Sequence, residues 1–300
     1  MRRPEKRPPA QRAQSPMLER TLVPQPPRSL TRHPELLEAA VYEREIGAPI
    51  ARVWENVFDW EHLPWLHDQA FESIELLEAG EWGWHGDVGF PGGASSEIEL
   101  SVDHEASCYV ARTRSGVGAP GEIWTYLKSS SEDTTSIRVE FWVPPLPEGT
   151  ADEVLGKIGE AYLKLYAGLW DQDEEMMRQR VDVSDRRAER GAAGSGEIVS
   201  LGAVEALREK LPLVVDFAGH RFRLVDIGGE LLAHATECPH WLGPLESCEV
   251  ERGEIICPWH GYRFDVATGR STDERGLRLR HAPRVEVDPA TGNVHLVSPT

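Results

Sequence analysis

Two short arms constrain this chain more than any other feature: Cys238-Pro239-His240 and, sixteen residues further on, Cys257-Pro258-Trp259-His260-Gly261. Each arm offers one thiolate and one imidazole. A mixed sulfur and nitrogen donor set repeated once reads as a metal site, carried on two loops that meet at one centre. Tetrahedral zinc is the first alternative to weigh. Zinc arms usually space their ligands by at least two residues, and a Cys-x-His arm is tight for such a chelate.

The stretches CPHWLGPL, Cys238 to Leu245, and CPWHGYRFD, Cys257 to Asp265, resemble the cluster-binding loops of Rieske domains in bacterial oxygenases and their ferredoxins. That resemblance implies a [2Fe–2S] cluster with Cys238 and Cys257 on one iron and His240 and His260 on the other. Neutral imidazoles in place of two charged thiolates raise the reduction potential above that of an all-Cys ferredoxin. Respiratory Rieske proteins join their loops by an extra disulfide, but Gly243 and Trp259 occupy those positions here. The hydroxyl donor that often follows the loop glycine is also missing, since Tyr262 and Arg263 stand there. Fewer hydrogen bonds to the cluster sulfurs place the expected potential at the low end of the range, about −150 mV. Cys108 and Cys248 are expected to be free thiols in a reducing compartment.

The formal charge of −18 is unevenly spread, because residues 1–34 carry eight Lys or Arg against two Glu, together with eight prolines. That stretch lacks apolar periodicity and reads as a disordered basic tail. The acidic remainder argues against nucleic-acid binding, which needs a basic face. No apolar run approaches the length of a membrane span, and the composition fits a cytoplasmic protein.

Residues 35–185 form the first expected domain, residues 186–197 (RRAERGAAGSGE) a linker, and residues 198–300 a small all-β domain that resembles a Rieske domain from end to end. The first domain opens with a strand over Val41 to Ile46 and a helix whose apolar stripe is Ile50, Val53, Trp54, Val57 and Phe58. Alternating strands follow from Phe71 to about Val143, then a long helix from Ala151 to about Arg180. This order predicts an α+β helix-grip and is similar to START-like (SRPBCC) ligand-binding domains. Gly116 to Gly121 spells G-x-G-x-x-G, but Pro120 lies inside it and a strand-like stretch follows, so it reads as a turn.

At the end of the first helix stands Asp59-x-x-His62-x-x-x-x-His67. On a straight helix the two histidines would diverge by about 140°, so Pro64 is expected to break the helix and let them converge. The segment from Glu55 to His67 looks like the iron-binding segment of Rieske-type non-haem iron oxygenase α-subunits, including Asn56 three residues before the Asp. That resemblance implies mononuclear Fe(II) on His62 and His67, with Asp59 bridging electron transfer. A third carboxylate ligand is expected from the closing helix. Among Asp171, Asp173, Glu174 and Glu175, helical phase turns only Asp173 inward.

These readings combine into a Rieske-type non-haem iron oxygenase, mono- or dioxygenating, acting with O₂ on an apolar, aromatic or polycyclic substrate. Electrons are expected from a ferredoxin or an NAD(P)H-dependent reductase, since no flavin or nicotinamide signature is present. The family's α-subunits form trimers with the Rieske domain first, whereas here the domain order is reversed. The alternative is a Rieske electron-transfer protein whose START-like domain binds a hydrophobic ligand without metal.

Overall fold

The computed structural model describes residues 30–147, 152–189 and 198–298 and divides into two compact units, Met1–Trp170 and Asp171–Thr300. The first unit is built on one seven-stranded antiparallel sheet of β1 (Leu37–Ile46), β2 (Ser73–Gly80), β3 (Gly83–Phe90), β4 (Ala94–Asp103), β5 (Cys108–Gly116), β6 (Glu122–Ser129) and β7 (Thr135–Val143). Its spatial order is β1-β7-β6-β5-β4-β3-β2. Strand alternation explains which face is covered. In β7, Ile137, Val139, Phe141 and Val143 are buried while Arg138 and Glu140 lie on the other face. The G-x-G-x-x-G stretch is the turn between β5 and β6, as its proline required.

Helix α1 (Ile50–Phe58) buries Val53, Asn56 and Val57, and the Trp84 indole of β3 donates to the carbonyl of Val57 at 3.1 Å. Pro49 sits at its N-cap, one position earlier than its expected place in the first turn. The helix stops at Phe58, before Pro64, because Asp59 leaves helical geometry at φ −87° and ψ 79°. A 3-10 turn (Trp60–His62) and the one-turn helix α2 (Leu63–Leu66) follow. Pro64 therefore lies in the first turn of α2, where a missing N–H costs nothing, and is not the point of the break.

Helix α3 (Asp152–Glu189) is unbroken. In the first unit Tyr162 stacks on Phe141 with ring centroids 4.8 Å apart, and Tyr166 meets the same ring edge-on at 4.7 Å. The helix runs well past Arg180 and takes in residues 186–189 of the expected linker; residues 190–197 lie outside the described residues. At the other end, residues 1–29 of the expected tail also lie outside them, but residues 30–34 are ordered against the sheet. Leu30 packs on Cys108, Val110 and Trp124, and the Arg32 guanidinium lies 3.8 Å over the Trp142 ring. This uncovered-looking face is an aromatic surface that needs a cover, which the sequence pattern alone did not reveal.

The second unit holds the rest of α3 and three small antiparallel sheets: β9 (Leu213–Phe217), β10 (His220–Ile227) and β11 (Glu230–Ala235); β12 (Val250–Glu251), β13 (Glu254–Ile256) and β14 (Arg263–Asp265); and β8 (Ile198–Ala203), β15 (Arg284–Val287) and β16 (Asn293–Val297). A short helix α4 (Val204–Arg208), absent from the sequence reading, follows β8. The core is Phe222, Leu224, Leu245, Ile255, Phe264, Val294 and Leu296. The hairpin expected around Pro289 to Asn293 joins β15 to β16. The architecture is thus α+β, a helix-grip unit followed by a small all-β domain.

Candidate metal centres

The two Cys-His arms form loops of matching backbone design. The Cys238 amide donates to the carbonyl of Gly243 at 2.9 Å, and the Cys257 amide to that of Tyr262 at 2.8 Å. In return the Cys238 carbonyl accepts from Leu242 at 3.0 Å and the Cys257 carbonyl from Gly261 at 2.9 Å. Leu242 and Gly261, four residues after each cysteine, both take left-handed backbone, φ 66° and 68°. The His240 and His260 rings are 4.6 Å apart and nearly perpendicular at 84°, and both Nδ1 atoms are buried. A Cβ at Gly243 would stand 2.6 Å from the Cys257 sulfur, so a side chain there would intrude on the cradle.

Cys238 and Cys257 are buried side by side. A hydrogen bond from Cys257 pulls the Cys238 thiol below its ordinary pKa, while the same bond and burial push Cys257 well above. Two thiols and two imidazoles converging in a buried cradle fit the mixed donor set of a [2Fe–2S] cluster with His on one iron.

The second constellation begins on the turn after α1. His62 and His67 are 3% and 2% exposed, and their rings lie 5.0 Å apart at 74°. Asp173, on α3 two turns beyond Tyr166, is 8% exposed, whereas Asp171 is exposed. Ligand atoms of His62, His67 and Asp173 all lie within 4.8 Å of one another. The Asp59 carboxylate is 3.5 Å from His62 Nδ1, the position of a group that orients an imidazole whose other nitrogen is a ligand. Asn56 is buried, and its Oδ1 has no hydrogen-bond partner among the described residues.

Comparison with known proteins bears on the cysteine-histidine loops. The model of the Rieske [2Fe–2S] domain matches residues 197–280. These residues form a Rieske domain. "Apoptosis-inducing factor 3" of Mus musculus is 27% identical over 139 residues, covering 39% of this chain and 23% of the relative. The ferredoxin component of the naphthalene 1,2-dioxygenase system of Pseudomonas aeruginosa is 37% identical over 59 residues, 20% of this chain and 57% of that protein. The chain thus spans less than a quarter of the mouse relative's length and little over half of the ferredoxin's. Among solved structures, the Zhui aromatase/cyclase of Streptomyces sp. R1128 aligns with 49% of this chain and 96% of its own at 12% identity, with a TM-score of 0.41.

Around the Rieske loops the structure adds contacts that the sequence does not show. Tyr262 stacks on His240 with centroids 4.4 Å apart and 23° between planes, and the Arg275 guanidinium lies 3.7 Å over the Tyr262 ring. Arg180 of α3 covers Trp241 at 4.1 Å, and Arg187, one heptad later, donates to Glu237 at 2.8 Å. That seven-residue repeat on one helical stripe was a readable signal, whereas no local pattern marked Arg275. Cys248 is half-buried, donates to the Pro244 carbonyl at 3.1 Å, and is pushed up to about 11 by burial. Cys108 is a buried free thiol. Of the remaining histidines, His85 pairs with Glu97 at 2.8 Å and His104 packs on Trp54, while His234 is buried with its Nε2 unpartnered among the described residues.

Proposed function

We propose that this chain is a Rieske-type non-haem iron oxygenase in which His62, His67 and Asp173 hold a mononuclear Fe(II) and the Rieske domain feeds it electrons. The observation that carries the reading is the buried triad, whose ligand atoms lie within 4.8 Å of one another. Two histidines and one carboxylate on one side of a metal leave open positions for O₂, which is the chemistry such an iron supplies. The three side chains do separate work. Asp173 brings the negative charge that two neutral imidazoles lack, and its burial would be costly without a cation or other partner beside it. Asp59 holds the His62 ring by its Nδ1 edge. Asn56 offers a second polar group on the helix leading to the site. The covered sheet face, lined by Ile137, Val139 and Phe141 with Tyr162 and Tyr166 from α3, suits an apolar substrate. Electrons come from a separate ferredoxin or reductase.

Iron content tests the reading. The purified chain should hold three irons, and Asp173→Ala should lower this to two, leave the Rieske electron paramagnetic resonance spectrum unchanged and abolish substrate-dependent oxygen uptake. Asp171→Ala, at an exposed position, should change none of these. Two irons in the unaltered chain would instead favour an electron carrier with a ligand-binding first domain, a reading supported by the ferredoxin relatives of the Rieske half.

A further inference from the structure

The Rieske domain carries two opposite charges on one short loop beside its metal ligands. Asp273 accepts hydrogen bonds from the amides of Arg263, at 3.3 Å, and Arg275, at 3.4 Å. Its side chain is 11% exposed, and it stands 3.9 Å from the Arg275 guanidinium, which is 36% exposed. Arg275 in turn reaches the ligand loop twice, lying over the Tyr262 ring that stacks on His240 and pointing at the His260 carbonyl from 3.5 Å. Neither residue is among the four expected cluster ligands. We propose that Asp273 and Arg275 are a charge couple that sets the reduction potential of the cluster, the carboxylate lowering it and the guanidinium raising it. The inference rests on the Rieske assignment and is independent of the mononuclear iron.

Reduction adds one electron, from an external one-electron donor, and so one negative charge to the cluster. A nearby cation stabilises the reduced form more than the oxidised form, and an anion does the reverse. Which charge dominates follows from burial. Asp273 is the more enclosed and is screened less by water and salt than Arg275, so its effect is the larger. The couple therefore holds the potential down on balance, in the same direction as the missing hydroxyl donor after Gly261.

Redox titration of the whole chain, followed by the cluster's visible absorbance, tests this. Asp273→Asn should raise the reduced-to-oxidised ratio at a fixed poise about tenfold, which for one electron is about 59 mV. Arg275→Gln should lower that ratio about threefold, and Arg275→Lys should restore most of it. Raising the salt should shrink the Arg275 effect and leave that of Asp273 nearly unchanged. The double variant should lie between the two single ones. A purely structural role predicts shifts of the same sign in both variants, or lost cluster without a shift, and either result overturns the proposal, as do unmoved potentials. Should Asp273→Asn fail to hold a cluster, the Arg275 pair decides: equal potentials for the Gln and Lys variants sink the idea. A wild-type chain without a Rieske spectrum would mark failure of the cluster assignment itself.

Discussion

At the scale of single residues, burial decides which titratable groups matter. His234 on β11 is 1% exposed, and its Nδ1 lies 2.9 Å from the Ala235 carbonyl, so that nitrogen carries the proton. Burial pulls its pKa down to about 4 from an ordinary value of 6.5. The folded state thus keeps the ring neutral where the unfolded chain takes up a proton. Stability from this group is complete above pH 6.5 and is lost as pH falls towards 4, by an amount on the order of 3 kcal/mol. His234→Gln should flatten the fall in melting temperature across that window; an unchanged pH profile would mean that other groups control acid unfolding. The strand-like pattern of residues 230–235 says nothing of how deeply His234 is buried. Its burial depends on what lies above β11, which no local pattern encodes.

At the scale of elements, α3 carries most of the constraints. Where it crosses the sheet, a Cβ on Gly159 would stand 2.3 Å from the Ala39 carbonyl, whereas one on Gly168 would meet nothing within 4 Å. Both glycines lie inside the helix, and alanine at either gains roughly 1 kcal/mol of intrinsic helix preference. At Gly159 the clash with backbone costs about 1–3 kcal/mol and outweighs the gain. Gly159→Ala should therefore lower the melting temperature and Gly168→Ala raise it; a rise in both would show that the helix stands further from β1. The periodic stripe of Leu155, Ile158, Tyr162, Leu165 and Leu169 makes this helix legible in the sequence, but Leu165 is 41% exposed. Phase predicted the face correctly for Asp173 and Asp171. It could not predict which stretch of the stripe the sheet would cover, since the width of the covering surface is set by the strands.

At the scale of the whole molecule, the proposed function requires two metal centres in one chain, with the Rieske domain second in order. Asp59→Asn tests their cooperation. The substitution keeps the side chain's shape beside His62 but removes its charge, so all three irons and the cluster spectrum should persist while single-turnover oxidation slows by orders of magnitude. Normal single-turnover rates would leave Asp59 a helix-end residue only. Much of this organisation was written locally. The Cys-x-His and Cys-x-x-His arms, the alternation of β7 and the apolar stripe of α1 depend on neighbours a few residues away, and such short-range patterns survive in a bare sequence. Proline is the visible breaker in the sequence, yet the helix ends at Asp59, two residues after the Val57 carbonyl that accepts the Trp84 indole N–H. The sequence by itself carried the Rieske resemblance of the two Cys-His arms and the α+β order of strands and helices. Only the tertiary structure decided that the His62 and His67 rings lie 5.0 Å apart, that residues 30–34 cover an aromatic sheet face, and that Arg275 lies over Tyr262, because each depends on how the chain around it packs and not on a local pattern.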